Sequence, residues 1–123
     1  MEFNLRIWEE LLADPDLAKI DNRIETDRHG RIMMLPIAGP LHGLRQATAS
    51  FQLASLLSGR PIVECPVSTA DGVRAVDVGW FSEPRYARAF DERCFLEAPE
   101  ICVEILSPSN NPAEIGERMA PLL

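Results

Sequence analysis

Asp77 and Glu104 are the residues whose type and placement most directly suggest chemistry. Each is an acid in the middle of an apolar, β-branched run of strand length, Val73-Arg-Ala-Val-Asp-Val-Gly-Trp-Phe81 and Pro99-Glu-Ile-Cys-Val-Glu-Ile-Leu-Ser-Pro-Ser109. An ionised carboxylate inside a sheet costs roughly several kcal/mol unless it is paired, hydrogen-bonded or metal-bound. Two such strands side by side would supply oxygen ligands for a hard divalent cation, which lowers the pKa of an attacking water and offsets charge on a phosphate. The alternative is that an arginine neutralises each acid, or that both lie at solvated strand ends.

Strand alternation sets the faces. Val76, Val78 and Trp80 share one side, with Asp77 on the other beside Ala75 and Gly79; Ile101, Val103 and Ile105 oppose Cys102, Glu104 and Leu106. Upstream, Pro61 to Val67 reads as a strand joined to the Asp77 strand through Ser68-Thr-Ala-Asp-Gly72, an antiparallel pair. Glu64 then falls across from Asp77 as a third carboxylate or water-holding base, or else pairs with Arg74.

The remaining elements must hold these strands. Asn4 to Ala13 predicts a helix with Leu5, Trp8 and Leu12 on one stripe, closed by Asp14-Pro15. Lys19 to Thr26 and Arg31 to Leu35 predict a hairpin turning at Asp27-Arg-His-Gly30. Glu25, at its end, is expected to be a solvated charge, with approach to a metal as the alternative. Leu41 to Leu57 predicts the longest helix, burying one broad face of Leu44, Ala47, Phe51, Ala54 and Leu57 with a second ridge near Leu53 and Leu56. His42, in its first turn, is either a surface or capping residue or part of a phosphate-receiving helix N-terminus. Ser82 to Ala98 reads as a loop with one helical turn, whose Arg85, Arg88, Arg93, Tyr86 and Phe90 either meet a nucleic-acid backbone and bases or solvate a long connection. Asn111, Pro112 and Glu114 form a helix start that carries Arg118 back over the acids before Pro121 ends it.

At 123 residues the chain is expected to be a single domain, residues 1–123, with one modest core. Twelve basic against nineteen acidic side chains, a net charge of −7, argue against tight nonspecific DNA binding over the whole surface, although a metal would reverse the sign locally. Three cysteines without zinc-site spacing fit a reducing cytoplasm, and Cys65 and Cys102 read as core residues. No apolar run spans a bilayer and the N-terminus lacks a signal-peptide pattern, so a soluble protein without membrane partners is expected.

The string Arg-Ala-Val-Asp-Val-Gly-Trp-Phe, followed after an irregular stretch by Ala-Pro-Glu-Ile-Cys-Val-Glu-Ile-Leu-Ser-Pro-Ser-Asn, resembles the Uma family of restriction endonucleases, a bacterial branch of the PD-(D/E)XK nuclease superfamily. The resemblance runs from about Leu11 to the C-terminus; Arg23-Ile-Glu-Thr-Asp-Arg-His-Gly-Arg-Ile looks like the family's opening hairpin and His42-Gly43 like the start of its first core helix. It implies a restriction-endonuclease-like α/β core, a mixed sheet of about five strands flanked by helices. It also implies a Mg²⁺ or Mn²⁺ site of Asp77, Glu104 and the backbone carbonyl of Ile105, acting on DNA phosphodiesters. Glu25 matches a family acidic position. Val76 stands where the superfamily has proline, Leu106 where it has a lysine, and Arg118 where the family often moves that lysine. An arginine can steady negative charge but cannot serve as a general base. The C-terminus is expected to be short, leaving reliance on a partner subunit and homo-oligomerisation. Two further readings stay open: a catalytically impaired, oligomeric nucleic-acid-binding or interaction module, and a small-molecule phosphodiesterase using the same metal chemistry.

Overall fold

The computed structural model describes residues 1–16, 23–35, 39–106 and 111–123. In chain order these form α1 (Glu2–Ala13), β1 (Arg23–Thr26), β2 (Ile32–Leu35), α2 (Pro40–Leu57), β3 (Arg60–Thr69), β4 (Gly72–Phe81), α3 (Glu83–Ala89), β5 (Ile101–Val103), α4 (Pro112–Met119) and a closing 3-10 turn, Ala120–Leu122. The start of the expected hairpin at Lys19 and the Ser107-Pro-Ser-Asn stretch lie outside the described residues.

The α/β architecture and five strands agree with expectation, but the strands divide into a three-stranded sheet, β3-β4-β5, and a separate hairpin, β1-β2. All these ladders are antiparallel; parallel pairing among the described residues is one bridge between Val67 and Phe95. The hairpin reaches the sheet through side chains instead of a ladder. β5 pairs with β4 at Val78, Gly79 and Trp80, so the earlier residues of β4 need other acceptors. Thr26 Oγ1 takes the Val73 N–H at 2.9 Å and the Glu25 carboxylate takes the Ala75 N–H at 2.8 Å.

Gly72, at φ +96°, makes the tight β3-β4 turn, where any Cβ would meet the Thr26 and Asp27 backbone. Two apolar clusters form the core. Cys65, Val67, Val76, Phe81, Ala89, Phe95 and Leu122 pack together, while Leu5 and Trp8 of α1 pack with Val73 and Cys94. The expected third member of the α1 stripe, Leu12, is exposed.

Two expectations are corrected. Ser82 to Ala98 is more than a loop: α3 makes two turns, because the Ser82 side chain accepts the Arg85 N–H, Pro84 occupies the first turn and Arg88 the last. On α2, all but one of the residues expected inside are outside: Leu44 is 62% and Phe51 72% exposed, Ala47, Ala54, Leu56 and Leu57 are exposed too, and of the expected set Leu53 alone is half-buried. The side turned to the sheet carries half-buried His42, Ala49 and Leu53 and buried Gln46. Both faces of this helix are rich in small and apolar residues, so periodicity alone could not select the inner one.

Candidate metal centre

The sheet register brings the two acids together. Val78 pairs with Val103 across β4 and β5, so the next step along both strands sets Asp77 opposite Glu104. Ladder pairing stops at Val103, three residues before Leu106, the last residue of the expected alternation, because the Ile105 N–H turns to the Asp77 carboxylate at 2.7 Å. Asp77 is 1% exposed and the Glu104 side chain 7%. Burial first, then the adjacent Asp77 charge, pushes the Glu104 carboxyl up to about 8, and its hydrogen bond to Asp77 favours the protonated form further; Arg118 opposes the shift.

This pair makes stability depend on pH. The folded chain keeps a proton on Glu104 that the unfolded chain releases near its ordinary value of 4.5, so metal-free stability falls as pH rises through the window from there to about 8. Urea unfolding of the metal-free protein at about pH 5 and about pH 8 is expected to show that loss, and Glu104→Gln to flatten it. An equal slope in both proteins would contradict the pairing.

Arg118 arrives from α4, whose start is fixed as expected by Asn111 accepting the Glu114 N–H at 2.9 Å. Its two terminal nitrogens grip Glu25 at 2.8 and 3.0 Å, and one lies 3.7 Å from Glu104. Glu25 is therefore no solvated hairpin charge: it is fully buried, joining β1, β4 and α4 through Ala75 and Arg118. The fixed backbone demand of β4 for an acceptor, invisible in a single strand's pattern, draws it inward.

On the other side of Asp77 stand His42 and Glu64. His42 Nε2 is 3.3 Å from Asp77 Oδ1. Pairs Val63–Val78 and Cys65–Val76 flank Glu64 and place it opposite Asp77, yet Glu64 takes φ +50° and the ladder skips it. Gln46, one turn beyond His42, donates to Glu64 Oε1 at 2.9 Å and to the Asp77 carbonyl at 3.0 Å. Sequence reasoning passed over Gln46; an amide one helical turn after His42, on the same face of a mostly apolar helix, was the available signal. One ligand atom from each of His42, Glu64 and Asp77 lies within 4.8 Å of the others. The suggested Arg74 partner of Glu64 binds the Thr26 carbonyl instead.

The loop arginines do not form a basic surface. Arg85 faces Glu100, Arg88 faces Glu97, and Arg93 binds Asp91 and approaches Glu9. Tyr86 and Phe90 pack in an aromatic group with Phe95, and Arg60 lies over the Tyr86 ring. A cavity of about 380 Å³ borders Glu64 and is walled by Trp8, Leu12, Ile24, Pro66, Ala75 and Arg93.

No family model matches this sequence, and no curated protein does. Among solved structures it is similar to one from Anabaena variabilis described as "a putative nuclease belonging to DUF820", with a TM-score of 0.70 and 21% identity over 92% of this chain and 65% of that one. The chain thus spans about two-thirds of the length of that protein. The likeness shows a shared α/β fold.

Proposed function

We propose that this chain is a metal-dependent endonuclease of the Uma type, hydrolysing DNA phosphodiester bonds at a centre built on Asp77 and Glu104. The observation that carries this reading is the meeting of two carboxyls with almost no solvent exposure on neighbouring strands, where burial and then the Asp77 charge oppose ionisation of Glu104. A fold kept with that repulsion inside it suits a site completed by a cation. The donor set is hard oxygen, Asp77 and Glu104 with the Ile105 carbonyl, and fits Mg²⁺ or Mn²⁺. When bound, such an ion supplies an activated water and offsets charge on the phosphate.

The chain's own groups have separable roles. Asp77 is held in one orientation by the Ile105 N–H. Glu104 must lose its proton before it can ligate, so affinity for the ion rises with pH. Arg118 stays charged, and with two nitrogens on Glu25 it presents the rest of its fork near Glu104, where it steadies an anionic phosphate without taking a proton.

A second reading, a catalytically impaired module that binds nucleic acid or a protein partner, is favoured by the same geometry: Arg118 is committed to a structural pair with Glu25. Incubation with plasmid DNA separates them. The nuclease reading expects Mn²⁺-dependent nicking by the wild type that falls to the metal-free background in Asp77→Asn and Glu104→Gln. Wild-type nicking no greater than that of the two variants favours the impaired module.

We further propose a single domain that acts as a homo-oligomer. Leu41, Leu44, Phe51 and Leu56 are all more than half exposed on α2, whose charged residue is Arg45 alone, leaving a nearly neutral face on a chain of net charge −7. Sedimentation at micromolar concentration is expected to give an oligomer that Phe51→Glu dissociates; a wild-type monomer would refute this. A reducing cytoplasm suits the free thiols Cys65, Cys94 and Cys102. Among the described residues no helix is long and apolar enough to cross a membrane.

A further inference from the structure

We propose that His42, Glu64 and Asp77 form a second cation seat, on the β3 side of Asp77, which takes a divalent transition metal such as Mn²⁺ in preference to Mg²⁺. The inference rests on the reading of Asp77 as a metal ligand and extends it to a different donor set.

Three observations converge on this seat. The ligand atoms are already gathered: a His42 nitrogen and a carboxylate oxygen from each of Glu64 and Asp77 lie within 4.8 Å of one another, a spacing one ion can bridge. They come from three elements, α2, β3 and β4, so no local turn accounts for their convergence. Glu64 interrupts the β3-β4 ladder at the residue opposite Asp77, in a backbone conformation at φ +50° that a glutamate rarely adopts.

Gln46 supplies the outer shell. Its amide nitrogen holds Glu64 Oε1 and the Asp77 carbonyl together, the kind of partner that orients metal-ligating carboxylates. Gln46 is buried, so this orientation is fixed by the fold and not by solvent. The Asp77 carboxylate spans both regions, with Oδ1 toward His42 and Oδ2 at the Ile105 N–H beside Glu104.

The donor chemistry sets the preference. Mg²⁺ favours oxygen and retains its waters, whereas an imidazole with two carboxylates suits Mn²⁺ and its first-row neighbours. The Glu104 side offers oxygen alone and carries no such discrimination.

Mn²⁺ titration of the full chain, followed by electron paramagnetic resonance with excess Mg²⁺ present, tests the seat. The wild type is expected to retain one Mg²⁺-resistant Mn²⁺ whose spectrum shows coupling to an imidazole nitrogen. His42→Gln should lose that coupling, Glu64→Gln should lose the resistant ion, and Gln46→Leu should weaken it about 10–100-fold. Glu104→Gln should keep it. Far-ultraviolet circular dichroism shows which variants are folded, and the wild-type nitrogen coupling needs no variant at all. Mn²⁺ that Mg²⁺ fully displaces, without nitrogen coupling, and that is lost in Asp77→Asn but kept in Glu64→Gln, overturns the second seat and leaves the Asp77–Glu104 reading intact. Absence of Mn²⁺ binding in the wild type overturns both.

Discussion

Arg118→Ala lowers the free energy of unfolding by about 3–5 kcal/mol, the expected cost of stripping one partner from a buried ion pair. The Glu25 side chain has no exposure to solvent, and two guanidinium nitrogens hold it at 2.8 and 3.0 Å. With them gone, its charge keeps the Ala75 N–H but has lost its bidentate cation. Glu104 also loses the positive neighbour that restrains its protonation, so its carboxyl shifts further upward. Adding Glu25→Leu to Arg118→Leu should recover much of the loss, since removing both charges removes the desolvation penalty with the attraction. Chemical denaturation of the four proteins closes the cycle. A loss under about 1 kcal/mol for Arg118→Ala would mean that Glu25 reaches water in solution.

The difference between what the sequence revealed and what it hid follows from the range of the interactions. Local signals were legible: the Asn111 cap with Pro112, the Gly39-Pro40 start of α2, its end at Ser58-Gly59, and the β-branched runs that became β3 and β4. Asp77 and Glu104 stood out because burial forbids isolated acids, and the register does set them opposite each other. Glu25 was misjudged because its burial depends on unpaired N–H groups of β4, some fifty residues along the chain. The face of α2 was misjudged because Leu44 and Phe51 carry the apolar signal while His42 and Gln46, which approach the sheet, are polar. The arginines after β4 suggested a nucleic-acid surface, but acids of the same connection and its edge, Asp91, Glu97 and Glu100, together with Glu9 of α1, absorb them.

The central claim, that Asp77 and Glu104 are cation ligands and not structural acids, is most directly tested by thermal melting of the wild type and Asp77→Asn with and without Mn²⁺. An ion that binds the native state alone stabilises it by RT ln(1 + [L]/Kd), about 2.7 kcal/mol at a hundredfold excess over Kd, or on the order of 10 °C for a chain of this size. The wild type should show that rise. Asp77→Asn should abolish it while leaving the metal-free protein equally or more stable, because the charge that opposes ionisation of Glu104 is gone while an amide oxygen still accepts from Ile105. A wild type indifferent to Mn²⁺, together with an Asp77→Asn protein that melts well below it, would contradict the account and make Asp77 a structural acid.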